Sequence, residues 1–321
     1  MSRDRDTITG TAAALVAATL FGMLGPLARF GAEAGVSGVA FTAWRAAMGI
    51  GFLALLVAAR RGGRTSLGAI RGLSRRSRAS LGVAAVMGLT LNASIFTAFG
   101  LIPIALALML FYTYPAGVVV VDVVLGRERI TPTRIAALLL SSTGVALVLI
   151  GGVDPSAGFT INPLGILLAL AAAASQVVFV TVSRDGYRAV PADAATAVIL
   201  SVSLVGAALL APLVGQGESL TAPFRSLDPW PILFLAGAVA AGLSSLLFLT
   251  AIRRLGGTRT GILMLLEPVV GVLLAGLWLG EALAPIQAVG GLLVLLGALV
   301  LQLRSEADHE PLVEAGAGPV I

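Results

Sequence analysis

The sequence predicts an all-α membrane protein of ten transmembrane helices, arranged as two inverted five-helix repeats with both termini in the cytoplasm. Three observations carry that prediction: a composition matched to hydrocarbon, a lopsided distribution of arginine, and a repeat that recurs in register. Of the 321 residues, 58% are hydrophobic and 12% charged, against roughly 25% charged in soluble domains. The mean hydropathy is +1.00, and the charges fall in short clusters between long apolar runs.

A helix crosses about 30 Å of hydrocarbon with about 20 apolar residues. Ten runs reach that length: 8–29, 37–59, 80–100, 102–124, 133–151, 163–183, 191–214, 230–252, 258–280 and 283–303. None alternates polar with apolar residues, which argues against a β-barrel. The first run exceeds the roughly 7–15-residue core of a secretory signal and nine more follow, so it reads as a span rather than a cleaved leader. All 21 basic residues are arginine. With the N-terminus inside, 18 of the 21 lie in cytoplasmic segments, leaving Arg29 and Arg225 in outer loops and Arg45 within a span. The positive-inside rule then sets N-in and C-in. The net charge of +5 is therefore a topology signal. No nucleic-acid partner is expected, although the arginines at 60–78 allow a basic patch for anionic lipid.

The third observation is the repeat. Residues 96–149 laid over 249–302, at an offset of 153 without a gap, give ten identities in 54 pairs. Pro115 meets Pro268, Glu128 meets Glu281, Pro132 meets Pro285 and Gly144 meets Gly297. Leucine and alanine matches are cheap in such a sequence, whereas these proline, glutamate and glycine matches are not. The chain divides into a repeat at 8–151, a repeat at 163–303 and a polar cytoplasmic tail at 304–321, read as disordered. Five spans per repeat is an odd number, so the second repeat enters the membrane inverted. Inverted repeats are typical of secondary transporters, whose site lies near the midplane between broken helices. Pro115 and Pro268 supply matching breaks, because each lacks the N–H that the carbonyl of Phe111 or Met264 would receive.

Several chemistries fall away. The chain has no Cys and a single His, His309 in the tail, so thiolate metal sites and disulfides are unavailable. Without a single lysine there is no Walker A motif. Neither HExxH, GxSxG nor a magnesium-holding aspartate pair occurs, and no cofactor or metal is expected.

The segment TAIRRLGGTRTGILMLLEPVVGVLLAGLWLGEALAPIQAVGGLLVLLGALVL resembles the second repeat of an EamA-type transporter of the drug/metabolite transporter superfamily. The marks are LLEP inside the ninth span, GE at its end and a glycine-bearing helix after it. The first repeat, YTYPAGVVVVDVVLGRERITPTRIAALLLSSTGVALVL, is similar but looser, keeping the proline and GRE. Arg45, in AFTAWRAAMG, matches an arginine common in the second helix of such proteins. Covering roughly residues 8–303, the resemblance implies a ten-helix fold and export or exchange of small metabolites, commonly amino acids and their relatives. Two departures stand out: Tyr114 takes the place that Glu267 holds in the second repeat, and Arg45 has no counterpart in the second half.

Glu267 lies about 13 Å in from the inner end of the ninth span, too deep to reach the interface. It serves either a substrate or proton site, as intramembrane ionisable groups tend to, or as a tie between helices. Arg45 lies about 12 Å from the outer end of the second span. An arginine facing lipid there costs about 3 kcal/mol or more, so it faces a cavity, as a clamp for a carboxylate or phosphate or as one half of an ion pair. It points about 200° away from a small-residue stripe, Ala43, Ala47 and Gly51, suited to close helix packing. Tyr114 and Trp44, with Phe111 and Tyr112, line an aromatic pocket or simply pack. Asn92, Ser94, Ser175, Gln176, Ser244 and Ser245 either bind ligand or bond between helices; Gln176 and Asn92 complete the candidate substrate or coupling set. Asp122, near the inner end of the fourth span, is close enough to reach the interface. Glu128 and Glu281, before prolines that suit a helix's first turn, read as structural.

The expectation is a multi-pass transporter of the bacterial inner membrane that exports a small polar or zwitterionic metabolite, with protons as a candidate coupling ion and a homodimer as a candidate assembly. The alternatives are a carrier for a phosphorylated sugar or nucleotide sugar, and, from another class, a membrane enzyme or a non-transporting scaffold.

Overall fold

The computed structural model describes residues 2–36, 38–59, 72–102, 104–127, 129, 131–151, 162–279 and 284–307. Every regular element among them is helical. Span 1 is α1 (Ser2–Gly22) with α2 (Leu24–Glu33), span 2 is α3 (Gly38–Ala59) and span 3 is α4 (Arg75–Phe99). Span 4 is α5 (Ile104–Phe111) with α6 (Tyr114–Val124), and span 5 is α7 (Pro132–Gly151). Spans 6 and 7 are α8 (Pro163–Asp185) and α9 (Ala192–Leu213). After α10 (Gly217–Thr221), span 8 runs through α11 (Pro229–Phe234), a π-helical stretch Leu235–Leu243 and α12 (Ser244–Leu255). Span 9 is α13 (Gly257–Met264) with α14 (Glu267–Leu279), and α15 (Pro285–Ala307) closes the order. Nine of these spans are long and apolar enough to cross a membrane among the described residues, and Pro285–Val300 adds a shorter apolar stretch.

The helix ends follow local chemistry. Both α7 and α15 open on a proline, Pro132 and Pro285, where the missing N–H is one the first turn leaves unpaired anyway. Ser74 caps α4 by accepting from the Ser77 N–H at 3.1 Å, and Asn162 caps α8 by accepting from Leu164 at 3.0 Å. Glu128, Glu281 and most of the 60–78 arginine cluster lie outside the described residues. So does His309, although α15 runs on to Ala307, four residues into the stretch expected as a disordered tail.

The helices pair as a two-fold relation between the repeats demands. Span 1 packs on span 8 and span 3 on span 6, which are the same contact with the repeats exchanged. Spans 2 and 7, 4 and 9, and 5 and 10 each pack on their own counterpart. The glycines give the register residue by residue. A Cβ on Gly144 would stand 2.5 Å from the Gly290 carbonyl and 2.8 Å from the Val294 N, while one on Gly297 would stand 2.8 Å from the Ala137 carbonyl and 3.1 Å from the Ser141 N. Residues 137, 141 and 144 are the offset-153 mates of 290, 294 and 297, so the two contacts are copies of one another. In such helix pairs glycine lets backbones approach where lipid offers no hydrophobic drive to association.

The small-residue stripe expected on span 2 is used only in part: Ala43 is buried in the core. Gly51 is exposed with open space around it. The tight contact comes instead from the face of Arg45 and Gly49, where a Cβ on Gly237 of the π stretch would stand 2.8 Å from the Arg45 carbonyl and 3.2 Å from the Gly49 N. Small residues occur on several faces of this helix, so spacing alone does not select the one that meets a partner.

Candidate functional site

Two helix breaks build the centre of the molecule. Pro115 and Pro268 each take the second position of a new helix, behind Tyr114 and Glu267. Because neither proline can donate to the residue four back, the chain tightens just before it. Thr113 N bonds Leu110 O at 3.3 Å, while Leu265 N and Leu266 N bond Ile262 O and Leu263 O at 3.1 and 3.2 Å. Glu267 therefore does not sit in the middle of a helix. It opens α14, where a carboxylate meets the positive end of the helix dipole, worth about 0.3–1 kcal/mol. That placement puts Pro268 in a first turn, where its missing N–H is tolerated, and offsets a small part of the cost of burying the carboxylate.

A third break was not read from the sequence. Span 1 divides at Met23, and Pro26 leaves the Gly22 carbonyl without its helical donor by the same rule. Gly22 then meets α14 closely: a Cβ there would stand 2.8 Å from the Glu267 carbonyl and 2.9 Å from Val270. The broken ends of spans 1 and 9 thus touch.

Around Glu267 the structure gathers side chains from spans 2, 3, 4 and 6. The Tyr112 hydroxyl lies near the Glu267 carboxylate, and the Tyr114 hydroxyl lies near the Gln176 side chain. Phe111 lies 5.2 Å, centroid to centroid, from both tyrosine rings. Arg45, 7% exposed, donates through Nη2 to Asn92 Oδ1 and lies 5.6 Å over the Phe96 ring. Asn92 is itself fixed, its Nδ2 donating to the Gly88 carbonyl at 2.7 Å, so Oδ1 is the atom presented to the guanidinium. The Arg45 Nε is buried without a hydrogen-bond partner. Arg45 and Glu267 are close enough to feel each other's charge. Yet no ion pair within 4 Å joins them, and Glu267 keeps part of its surface accessible. Two opposite charges share one interior region without neutralising each other by contact.

The predicted residues divide accordingly. Glu267, Arg45, Asn92, Gln176 and Tyr114 come together, with Pro115 and Pro268 forming the breaks beside them. Trp44 does not join them. It stands at the other flank of span 2, its Nε1 donating to Leu220 O at 2.9 Å and its ring 5.4 Å from both Trp230 and Phe224. Ser244 is absorbed by its own helix, bonding Ala240 O at 2.8 Å. Tyr112, expected only as an aromatic wall, lies near Glu267; the signal was its place in the turn before Pro115. Asp122 is enclosed by protein. It is 1% exposed and faces Thr258, Arg127 and Arg184.

A helical bundle of two related repeats, with broken helices meeting around buried charges, defines a polytopic membrane carrier. The EamA-like transporter family matches residues 8–150 and again 163–303, and the chain belongs to that family. It is similar to a protein of Archaeoglobus fulgidus named as an uncharacterized transporter, 27% identical over 231 residues, covering 72% of this chain and 78% of the relative. A protein of known crystal structure shares the fold with a TM-score of 0.76 at 23% identity, covering 94% of this chain and 98% of that one.

Proposed function

We propose that this transporter is a secondary-active exporter of a small polar or zwitterionic metabolite, an amino acid or a close relative, bound between the repeats at Glu267 and Arg45. One observation carries the reading: a half-buried carboxylate and a buried guanidinium lie in one interior region with no ion pair within 4 Å, and the guanidinium keeps an unused donor at Nε. Such a donor costs about 1–3 kcal/mol when it stays unsatisfied, and a substrate carboxylate is the group that would satisfy it. Glu267 takes the substrate amine, or a proton when the site is empty. Phe111, Tyr112 and Tyr114 supply the apolar and aromatic wall of the chamber. A carrier of phosphorylated sugars needs more cations at the site than Arg45, the one placed there among the described residues.

The reading includes ten membrane crossings, both termini inside, a bacterial cytoplasmic membrane, repeats at 8–151 and 163–303 with a tail at 304–321, proton coupling and a homodimer as the candidate assembly. Proteoliposomes preloaded with labelled amino acids should show saturable efflux that empty liposomes lack. The same efflux should appear in cells as secretion and resistance when a metabolite panel is screened with and without the protein. No saturable flux of any panel member would remove the transport reading of this site.

Orientation has its own test, made clean by the absence of native cysteine. A Ser219→Cys variant is expected to react with an impermeant thiol reagent in intact cells, and Ser74→Cys only after lysis. Reaction of Ser74→Cys in intact cells would reverse the topology.

A further inference from the structure

We propose that Asp122 is the keystone of a charge latch that holds spans 4, 6 and 9 closed at the arginine-rich end of the bundle, and that solute passes between the Glu267 chamber and that face only when the latch opens. The proposal rests on the transport reading above for the chamber. The latch itself rests on a separate set of contacts.

Asp122 is the last of a buried stripe on α6. Tyr114, Val118 and Asp122 recur at i, i+4 and i+8 and all are buried, so one helix face runs about 12 Å from the chamber to the bundle's end. Across from that stripe lies α13. A Cβ on Gly257 would stand 2.9 Å from Val118, 3.0 Å from Val180 and 3.1 Å from Asp122 Oδ2, and one on Gly261 would meet Pro115 and Tyr114 at 3.6 and 3.9 Å. Spans 4, 6 and 9 thus close on one another at Gly257, and spans 4 and 9 meet again at Gly261. Beyond the seal, Asp122 Oδ2 accepts from the Thr258 hydroxyl at 3.2 Å and lies 3.5 Å from Arg184 Nη1, while Oδ1 lies 3.7 Å from Arg127 Nη1. One carboxylate therefore touches the three spans that form the seal.

The quality of these contacts distinguishes a latch from a rivet. A buried ion pair repays its desolvation only when its geometry is excellent and its spare lone pairs are satisfied. Here both arginine contacts exceed hydrogen-bond length, and Asp122 Oδ1 has no hydrogen-bond partner. The two arginines are 28% and 23% exposed and can let go without being stranded. Arg127 also donates to Thr181 O at 3.1 Å, and Arg184 lies 3.7 Å from Asp185. A neighbouring joint of the same end is built differently: Arg253 donates to Val190 O at 2.7 Å and stacks 5.2 Å over Tyr187, whose hydroxyl lies 2.6 Å from Ser183. That joint is held by a short hydrogen bond and a ring contact, although Arg253 Nε has no hydrogen-bond partner, whereas both arginine contacts of Asp122 are longer and the cluster can be tipped.

The seal can be read directly, with no substrate in hand. In a Val118→Cys variant the introduced thiol is the single one in the chain, and its reaction rate with N-ethylmaleimide in lipid nanodiscs, followed by intact mass, reports opening of the seal. Adding Asp122→Asn is expected to raise that rate about five- to tenfold, the shift that a modest bias produces in a two-state equilibrium. Arg184→Gln alone should raise it too, and the pair together should add nothing beyond Asp122→Asn, since a latch opens once. Should Asp122→Asn fail to fold, Thr258→Val removes only the hydroxyl contact and is expected to give a smaller rise. An unchanged rate in the folded variants overturns the latch, as does a fall in thermal stability without a rise in rate. Flux measured in parallel separates the two ideas: absent flux with a raised rate removes the chamber reading alone, and normal flux with an unchanged rate removes the latch alone.

Discussion

Replacing Glu267 by Gln is expected to cut flux by about a hundredfold, as losing one charge from a buried charged contact costs about 2–5 kcal/mol, while the protein accumulates at wild-type levels. Folding should survive because Gln keeps the size and polarity of the side chain that lies near Tyr112, and because the residue still opens α14 ahead of Pro268. What disappears is ionisation. The manner of the loss identifies the role. A proton-coupling carboxylate leaves exchange of labelled substrate across the membrane intact and abolishes proton-driven flux, whereas an amine-binding carboxylate takes both away together. A structural ion pair has a different signature. If Arg45 and Glu267 served only to neutralise each other, each single variant would be unstable and the double variant, Arg45→Met with Glu267→Gln, would regain stability and transport. No contact within 4 Å joins the two, and Arg45 is held by Asn92 and Phe96 instead, so the double variant should stay as inactive as the singles. Transport restored in the double variant would sink the site.

Much of this architecture was legible because membrane physics leaves few choices. Run length and composition give the spans, and the in-register prolines and glycines give the repeat. That register reappears atom by atom where Gly144 meets Gly290 and Gly297 meets Ala137. Depth was legible as well, since a carboxylate and an arginine far from any interface must face protein or water. Their companions were not, because tertiary contact decides them. Nothing in the spacing of Tyr112, Asn92 or Gln176 says which of them faces Glu267 or Arg45. Trp44 shows the converse error: the residue beside Arg45 in sequence is turned about 100° round the helix, into the cluster with Trp230 and Phe224. Asp122 was judged by its distance from the span's end, whereas Arg127 and Arg184 close over it. Pro26 carried the same signal as Pro115 and Pro268 but lies outside the stretch where the repeat aligns in register, 96–149 over 249–302, so a search guided by the repeat passed over it.

The prolines supply the second large effect. Replacing Pro268 by Ala is expected to lower flux about tenfold or more, and Pro115→Ala to lower it similarly, through loss of geometry at the centre rather than loss of fold. In each case the new N–H can reach the carbonyl four residues back, Met264 or Phe111, and draw the tightened turn into a continuous helix. Glu267 would then no longer open a helix; its carboxylate would lose the dipole end it faces and turn with the backbone away from Tyr112. Tyr114 would move likewise against Gln176. Stability should change little, by about 1 kcal/mol or less, because proline in the first turn of α6 and α14 is already at a tolerated position and resealing gains back only the hydrogen bonds of one turn. Thermal midpoints of the purified variants should therefore match or slightly exceed the parent's while transport fails, the pattern expected where local strain serves function. Full transport by both variants would reduce the two breaks to packing features, and aggregation of both would make them requirements of folding.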